Sequence, residues 1–350
     1  MKLMKTILIT LILVFMGSIY AQEKEKSSTF QTEVDGIGTN ALSFLEIGVG
    51  ARAMGMGGAY AAVANDATAL YWNPAGIVWV ENMEFEVMHN EWFLDANYEY
   101  LGAIFPIPNL NSSLGLSITT IGFGDQPVRT VNRPEGTGEY YNARDYSASL
   151  TWATALTSRF SFGVSFKYLS SQIWHETASA FAADLGIFYN TELEGLRLGF
   201  SMSNFGTDLE YEGRDIHTTV DPDDEVENFD RVPAEYQTDS YPIPLLFRAG
   251  ISYEADLGSF GTSTLAVDLL HPSNAPEAIN VGLEYAFTGM FFIRGGYQGL
   301  FDEESISGLT LGAGVDYYNN SANFGVRFDY SWADWGVLEN SQRFSVGLVF

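Results

Sequence analysis

The sequence contains no cysteine, which excludes disulfide bonds, thiolate-bound metal centres and a lipid anchor attached through a cysteine. It is also poor in basic residues, because 17 Lys and Arg stand against 44 Asp and Glu, for a formal net charge of −27. Nucleic acids bind to basic surfaces, so this charge excludes a nucleic-acid partner. Only 17% of the residues are charged, whereas 15% are aromatic. Such a composition is typical of a β-rich protein, part of whose surface does not face water.

Long apolar runs are almost absent. One run, Ile7–Met16, follows two lysines and precedes a group of small residues. This order predicts a secretory signal peptide over residues 1–21, and the run is shorter than the ~20 residues that the alternative, a retained anchor helix, requires. We therefore expect an exported protein with a polar linker over residues 22–43. Since no later run could cross a membrane as a helix, residence in a membrane would require a β-barrel.

From residue 84 to the end, apolar and polar residues alternate with the period of a β-strand. Residues 159–168 show this most clearly, because Phe, Phe, Val, Phe and Tyr alternate there with Arg, Ser, Gly, Ser and Lys. About fourteen segments share the pattern, and most have about 9–12 residues, the length with which a tilted strand crosses a bilayer. They lie near residues 84–92, 98–106, 112–121, 144–156, 159–171, 179–190, 195–205, 242–254, 261–270, 277–287, 290–299, 306–317, 322–331 and 341–350.

The connections between these segments alternate in length. The two long ones, Gly122–Ala143 and Gly206–Tyr241, belong to one set, and the other set contains only short turns. Short turns at one rim and longer loops at the other are typical of outer-membrane barrels, and an even number of strands places both chain ends at the short-turn rim. The sequence therefore predicts an all-β fold, a 14-stranded antiparallel transmembrane β-barrel in the outer membrane, over residues 83–350.

The chain ends in Arg343–Phe350, a segment with alternating apolar residues and an aromatic last residue. Phe344 and Phe350 make it similar to the C-terminal signal by which bacterial barrel-assembly machinery recognises its clients. The alternative is a strand that merely ends the chain. On the first interpretation, the assembly machinery is a partner during biogenesis.

One face of the predicted strands carries charged residues and glycines. Charged side chains would be unfavourable against lipid, so we expect this face to line the lumen. Glycines on the same face, such as Gly282 and Gly312, leave space inside, although some can mark bulges or bends. The charged residues are Asp184, Arg197, Arg248, Asp268, Glu284, Arg294, Asp316, Arg327 and Asp329.

Before the first strand lies a glycine-rich stretch, Phe44–Ile77, which follows neither helical nor strand periodicity. Glycines recur where side chains would otherwise pack, and this indicates compact, irregular backbone pressed against another surface. We interpret residues 44–82 as a plug, or hatch, inside the barrel. The residues assigned to this plug are Arg52, Gly55, Gly57, Gly58, Asn65, Asp66, Trp72, Asn73 and Pro74.

Arg52 is the only cation in the glycine-rich stretch. A buried guanidinium requires partners, and Asp184, Asp268 and Glu284 are candidates on the inner face. Such a pair would latch the plug, whereas the alternative role of Arg52 is to capture a ligand carboxylate. Asn65 and Asp66, in the same stretch, are expected to cap a turn through hydrogen bonds between their side chains and the backbone.

The loop of residues 206–241 is the most acidic part of the sequence. Its acidic residues are interleaved with aromatic ones, so it is not a purely solvating tail. A solvated, self-repelling loop, a calcium site and a partner-binding loop outside the cell are all compatible with this pattern, but the glycine and the terminal glutamate of an EF-hand are missing. The residues considered for partner binding are Asp221, Asp223, Asp224, Phe229 and Tyr236.

The stretch Phe44–Gly76 resembles the PorV/PorQ family of outer-membrane proteins, in the FadL-like superfamily. The matching elements are Phe44-Leu45, Gly50–Arg52, Gly55–Ala59, Asp66 and Tyr71–Gly76. The resemblance implies a fourteen-stranded barrel with an N-terminal hatch. It also implies a role in, or beside, the type IX secretion system of Bacteroidetes and relatives.

Two functions follow as hypotheses for a protein of the outer membrane, surrounded by its lipid. The first is a docking or shuttle partner of the type IX machinery, which would bind the translocon or the C-terminal domain of a secreted substrate. The alternative is a FadL-like passive channel for hydrophobic small molecules, which needs a continuous apolar pocket ending near the plug. We expect no cofactor, no metal and no enzymatic activity, because the four histidines lie in separate segments and no catalytic motif is present.

Overall fold

The structure, a computed structural model, describes residues 38–221, 231–301 and 305–350. The predicted signal peptide, most of the predicted linker and the loop residues Asp223, Asp224 and Phe229 lie outside these ranges. Within the described ranges, fourteen long strands form one antiparallel sheet. In chain order they are β1 (Glu84–Glu91), β2 (Asn97–Ile107), β3 (Ser112–Gly122), β4 (Ala143–Ala155), β5 (Phe160–Ile173), β6 (Glu176–Asn190), β7 (Leu196–Gly206), β8 (Leu246–Asp256), β9 (Thr262–Pro272), β10 (Ala278–Phe287), β11 (Phe291–Leu300), β12 (Leu309–Asn319), β13 (Phe324–Asp334) and β14 (Asn340–Val349).

The sheet closes into a barrel, because its first strand pairs with its last. Glu84 of β1 lies opposite Val349 of β14, and every other strand pairs with its neighbours in sequence. The predicted all-β barrel of fourteen antiparallel strands is therefore confirmed. Strand β8 begins at Leu246, later than predicted, because Pro242 and Pro244 lack the N–H groups that a strand ladder requires.

Side chains alternate between the two faces of the barrel wall, as they do in any strand. The outer face is apolar, with Phe166, Phe181 and Ile293 among its exposed side chains. Of the nine charged residues predicted to face inward, six are buried and three are half-buried. An apolar outer face around a charged inner face is the arrangement expected of a barrel that spans a membrane.

Residues 38–82 precede the barrel strands and form short, irregular elements. They include helices α1 (Ala51–Gly55) and α2 (Ala69–Trp72) and two 3-10 helices, Ser43–Glu46 and Pro74–Trp79. Most side chains of this N-terminal segment are buried, and its backbone contacts the inner face of the wall, for example where Gly55 meets Gly312. Among the described residues, no helix is both long enough and apolar enough to cross a membrane.

The connections at the two rims differ, as the sequence predicts. The turns are short at the rim where the chain ends. In outer-membrane barrels, the rim with short turns faces the periplasm. At the outer rim, the long connections contain small strand pairs that the sequence analysis did not anticipate. These are Gln126–Pro127 with Tyr140–Tyr141, Leu209–Glu210 with Ser240–Tyr241, and His217–Val220 with Val232–Glu235, while Glu212–Gly213 adds to β6. Further 3-10 turns are Phe93–Asp95, Pro108–Leu110, Arg214–Ile216, Gly258–Phe260 and Gly336–Leu338.

Candidate functional site

Arg52, in α1, connects the N-terminal segment to the barrel wall. Its Nε and Nη2 atoms each donate a hydrogen bond of 2.9 Å to the carboxylate of Glu284, in β10. Its Nη1 atom donates to Asn65 Oδ1 at 2.8 Å and to Asp66 Oδ2 at 3.0 Å. The two-point contact with Glu284 is the strong, planar form of an arginine–carboxylate pair. Of the three carboxylates considered as partners of Arg52, Glu284 is the one that it contacts.

The other two carboxylates hold different groups. Asp184 of β6 pairs with Lys167 of β5 at 2.7 Å. Asp268 of β9 accepts hydrogen bonds from the backbone N–H groups of Tyr60 and Ala61, at 2.9 and 2.8 Å. Asp268 therefore fastens the N-terminal segment to the wall at a second place, without an arginine.

The Arg52–Glu284 pair extends into a network along the wall. Arg294 of β11 donates to Glu284 and to Asp329 of β13, both at 2.6 Å. Arg327 of β13 donates to Glu84 of β1 at 3.1 Å. Unpaired charges at such enclosed positions would be strongly unfavourable, and the pairing compensates for their loss of hydration.

Asp66 lies at the centre of the N-terminal segment and is fully enclosed. Its Oδ1 atom accepts hydrogen bonds from the backbone N–H and the hydroxyl of Thr68, at 3.0 and 2.5 Å, and its Oδ2 atom accepts one from the Tyr60 hydroxyl. Burial alone would raise the pKa of Asp66, but the positive charges of Arg52 and Arg327 and these hydrogen bonds hold that pKa below its usual value. Asp66 is therefore held as a carboxylate.

The glycines allow the segment and the wall to touch through their backbones. A Cβ atom on Gly57, whose φ is +66°, would lie 2.8 Å from the carbonyl oxygen of Val281 in β10. A Cβ atom on Gly282 of the same strand would lie 2.2 Å from the carbonyl oxygen of Met56. Atoms cannot approach this closely, so a larger residue at either position would force the backbone to shift.

Gly55 also meets the wall through its backbone, at Gly312 of β12. Gly58 instead lies against the ring of Trp72, within the segment itself. Gly325 differs, because its nearest neighbour is a side chain of the adjacent strand β12. The strand glycines that face the N-terminal segment are Gly115, Gly163, Gly186, Gly199, Gly250, Gly282, Gly296 and Gly312.

Trp72, Asn73 and Pro74 hold the centre of the segment together. The indole N–H of Trp72 donates to the carbonyl of Val49 at 2.9 Å. The amide of Asn73 donates at 2.9 Å to two carbonyl oxygens, one in the segment and one at Ile187 of β6. Pro74 begins a 3-10 helix, a position at which its missing N–H costs nothing. These residues therefore hold backbone in place and present no free functional group.

Two cavities of very different size lie close to the barrel wall. A void of about 10 Å³ lies between Phe44, Tyr71 and Lys167. A much larger cavity, of about 620 Å³, is lined mostly by apolar side chains of the outer face of β6–β11, among them Phe200 and Leu269. Arg248, which also lines this larger cavity, donates a hydrogen bond of 3.2 Å to the hydroxyl of Tyr71 in the N-terminal segment.

Two loops at the outer rim carry exposed apolar side chains. Trp92 and Phe93 follow β1, and their rings pack against Trp335 after β13, at centroid distances of 5.1 and 5.8 Å. Beyond this aromatic cluster, Leu94 and Val337 are 95% and 90% exposed. Isolated exposed apolar residues are common, but a cluster at a loop tip indicates a contact surface.

The residues proposed for partner binding lie in a different loop. Tyr236 is exposed, and its backbone N–H donates to the carbonyl of Ile216 at 2.9 Å. Asp221 is half-buried at the edge of the described range. The structure thus places two of the five residues and does not bring them together with the aromatic cluster of Trp92 and Trp335.

The aromatic residues of the C-terminal strand face outward. Phe344 packs on Tyr330 at a centroid distance of 5.1 Å. Phe350 packs on Phe85 and Phe324, at 5.9 and 5.3 Å. The last residue therefore contributes to the seam at which β14 meets β1.

The sequence analysis missed several inward-facing polar residues. Glu84 and Glu86 are buried in β1, and Arg343 is buried in β14. The signal was available, because Glu84 and Glu86 share the parity of Met88, opposite to that of Phe85 and Val87. An acidic residue on the inner parity of a barrel strand indicates a basic partner elsewhere in the lumen.

Many solved structures share this fold, and three of them illustrate the likeness. The toluene transporter TbuX of Ralstonia pickettii is 13% identical, with a TM-score of 0.53 over 86% of this chain and 97% of TbuX. The CymD monoaromatic hydrocarbon channel is also 13% identical, with a TM-score of 0.53 over 87% of this chain and 97% of CymD. The toluene transporter TodX of Pseudomonas putida is 12% identical, with a TM-score of 0.52 over 86% and 97%. At such low identity, the likeness concerns the fold alone.

The sequence itself identifies the family. No curated protein matches it. The family described as type IX secretion system protein PorV, however, matches residues 30–221, which is more than half of the chain. Together with the closed barrel and its apolar outer face, this match establishes that the chain is an outer-membrane β-barrel and belongs to the PorV family.

Proposed function

We propose that this protein is a non-enzymatic docking partner of the type IX secretion machinery. Its membership of the PorV family supports this function. The observation that carries the proposal is the apolar tip at the outer rim, formed by Leu94 and Val337 above the rings of Trp92 and Trp335. Water-exposed apolar clusters of this kind are favourable surfaces for a protein partner. The partner would be the translocon or the C-terminal domain of a secreted substrate.

In this proposal, residues 44–82 are a plug that fills the lumen, and Arg52 is its latch. The latch role is favoured over ligand capture because the Nε, Nη1 and Nη2 atoms of Arg52 all donate to protein side chains. Phe344 and Phe350 would serve as the barrel-assembly signal, because they belong to the last strand and the residue after it, at the seam where β14 pairs with β1. The loop that contains Tyr236 would offer a second, acidic contact with the partner.

A purification from the native outer membrane tests the docking function. The tagged protein would be isolated in a gentle detergent, and its bound proteins and lipids would be identified by mass spectrometry. We expect a stoichiometric large barrel or secreted proteins with type IX C-terminal domains. The double variant Leu94→Asp/Val337→Asp should lose these partners, since two charges would be placed in the apolar contact.

The matched control is Leu193→Asp/Leu257→Asp, which introduces the same two charges at the opposite rim, at positions that are 68% and 45% exposed. It should retain the partners. Equal recovery of partners with the double variant and the control would refute the docking surface.

The alternative, a passive channel for hydrophobic small molecules, has less support, because the plug and its ion pairs occupy the lumen. The same purification distinguishes the two functions. A barrel that carries a hydrophobic small molecule and no protein partner would favour the channel, and it would make displacement of the plug the step to study.

A further inference from the structure

Three inward-facing polar residues lie side by side near the outer rim of the barrel. Arg343 of β14 is paired in register with Asn90 of β1 on one side and with Ser331 of β13 on the other. All three side chains are fully buried. Residues directly opposite each other in neighbouring strands point to the same face, so the three polar groups face the same part of the lumen.

The hydrogen-bonding capacity of this trio is largely unused. Arg343 Nη1 donates to Ser341 Oγ at 3.0 Å, but Arg343 Nε and Nη2 have no partner among the described residues. The same is true of both amide atoms of Asn90 and of the hydroxyl of Ser331. Buried polar groups without partners are rare in proteins, and five such atoms at one place point to a site for a polar ligand.

The charge of Arg343 is also uncompensated. The neighbouring inward arginines, Arg294 and Arg327, form ion pairs with carboxylates, whereas no ion pair of Arg343 exists within the described ranges. A water molecule could accept hydrogen bonds from Arg343 but could not balance its charge. A buried guanidinium without a counter-ion is strongly unfavourable, so an anion is the better occupant.

The free atoms define the kind of anion. The Nε and Nη2 atoms form one edge of the guanidinium, and this edge can bind both oxygens of a carboxylate in a planar, two-point contact. The Asn90 amide and the Ser331 hydroxyl would supply further donors. We propose that Arg343, Asn90 and Ser331 form a binding site for a small carboxylate, separate from the Arg52 latch and next to the aromatic cluster of Trp92 and Trp335.

Two aromatic residues cover the trio from the outer rim. The guanidinium of Arg343 lies 5.4 Å from the ring centre of Trp92. The indole N–H of Trp335 donates at 3.0 Å to Ser341 Oγ, the same atom that Arg343 contacts. Movement of these two rings would admit the carboxylate, and Trp92 provides a fluorescent reporter of binding.

The test uses the full-length barrel in gentle detergent, first dialysed into sodium chloride. Sodium formate then replaces sodium chloride at constant ionic strength, while the melting temperature and the tryptophan fluorescence are recorded. We expect a saturable rise in melting temperature and a fluorescence change that is lost in Trp92→Phe. Arg159→Gln is the matched control, because it removes an exposed arginine that pairs with Glu192 at 3.1 Å, and it should respond like the wild type.

The sharpest variant is Asn90→Asp, which places a carboxylate beside the guanidinium. It should melt at a higher temperature than the wild type in chloride, and it should lose the response to formate. If this variant does not assemble, Ser331→Ala replaces it, with an expected loss of about tenfold in apparent formate affinity from one missing hydrogen bond to a charged group. An absence of any formate response in the wild type, or an equal response in the wild type and Asn90→Asp, would overturn the proposal.

Discussion

Arg52 and Glu284 are joined by two hydrogen bonds of 2.9 Å, although 232 residues separate them in the sequence. One belongs to the N-terminal segment and the other to the middle of a barrel strand. Because Glu284 also accepts from Arg294, loss of Arg52 would leave the wall network intact but would release the segment from it. A substitution in this pair therefore tests the attachment of the proposed plug without disturbing the barrel wall.

Arg52→Gln should weaken the attachment of the segment. Removing one partner of a buried ion pair costs about 3–5 kcal/mol of unfolding free energy when the other charge is left unpaired. Glu284 keeps Arg294 as a partner, so we expect a smaller loss, of about 2–3 kcal/mol. Urea unfolding of the detergent-solubilised barrel, followed by tryptophan fluorescence, would measure the loss. The control Arg159→Gln breaks an exposed pair and should change the unfolding free energy by no more than about 1 kcal/mol. Equal losses in both variants would show that Arg52 is not a latch.

Gly282→Ala should separate the segment from β10. The added methyl group would lie 2.2 Å from the carbonyl oxygen of Met56, so the backbone would have to shift, at a cost of about 1–3 kcal/mol. Gly124→Ala is the matched control, because a Cβ atom there would meet nothing within 4 Å. Limited proteolysis should cleave the N-terminal segment faster in Gly282→Ala alone. An unchanged cleavage rate would mean that the close contact is not required.

The barrel could be predicted from the sequence because each strand faces lipid on one side and a polar lumen on the other. Apolar and polar residues therefore alternate along the strand. Residues 159–168 show this, and β5 was found there. Boundaries were less certain where prolines or loop strands intervene, as at Pro242 and Pro244. The first residue of β8 is determined by the missing N–H groups of these two prolines. The alternation of apolar and polar residues does not reveal this local effect.

The partners inside the lumen were only partly predictable. The sequence marks Arg52 as a lone cation and offers three carboxylates, but which one it contacts depends on the strand register and on where α1 lies. Glu284 could not be chosen over Asp268 by spacing, because both are inward-facing and far away in sequence. The trio around Arg343 was missed for the same reason, since strands β1, β13 and β14 become neighbours only when the barrel closes.

Truncation at the C terminus should impair assembly more than stability. Phe350 packs on Phe85 of β1 and Phe324 of β13, the strands on the two sides of β14. Deletion of Phe350 should lower the fraction of folded, heat-modifiable barrel in outer-membrane preparations. Phe166→Ala removes an exposed aromatic ring from the outer face of β5 and should have a smaller effect. Equal yields of folded barrel from the two variants would favour the interpretation that the last strand merely ends the chain.

Asp66 should make the stability of the protein depend on acid pH in a defined direction. The pKa of Asp66 is lower in the folded protein than its usual value, so the ionised carboxylate stabilises the fold at pH values above about 4, the pKa of an unfolded aspartate. That contribution is lost as the pH falls through the lowered pKa of the folded protein, when the carboxylate facing Arg52 and Arg327 becomes protonated. The difference in melting temperature between the wild type and Asp66→Asn should therefore be largest near neutral pH and should shrink below about pH 4.

Melting curves recorded between neutral and acid pH would measure this difference, with Asp208→Asn as the control at an exposed position. The control should follow the wild type at every pH, because its carboxylate is in water in the folded protein too. A difference between the wild type and Asp66→Asn that stays constant down to about pH 3, well below the usual pKa of an aspartate, would mean that the hydrogen bonds of Asp66, and not its charge, hold the segment together.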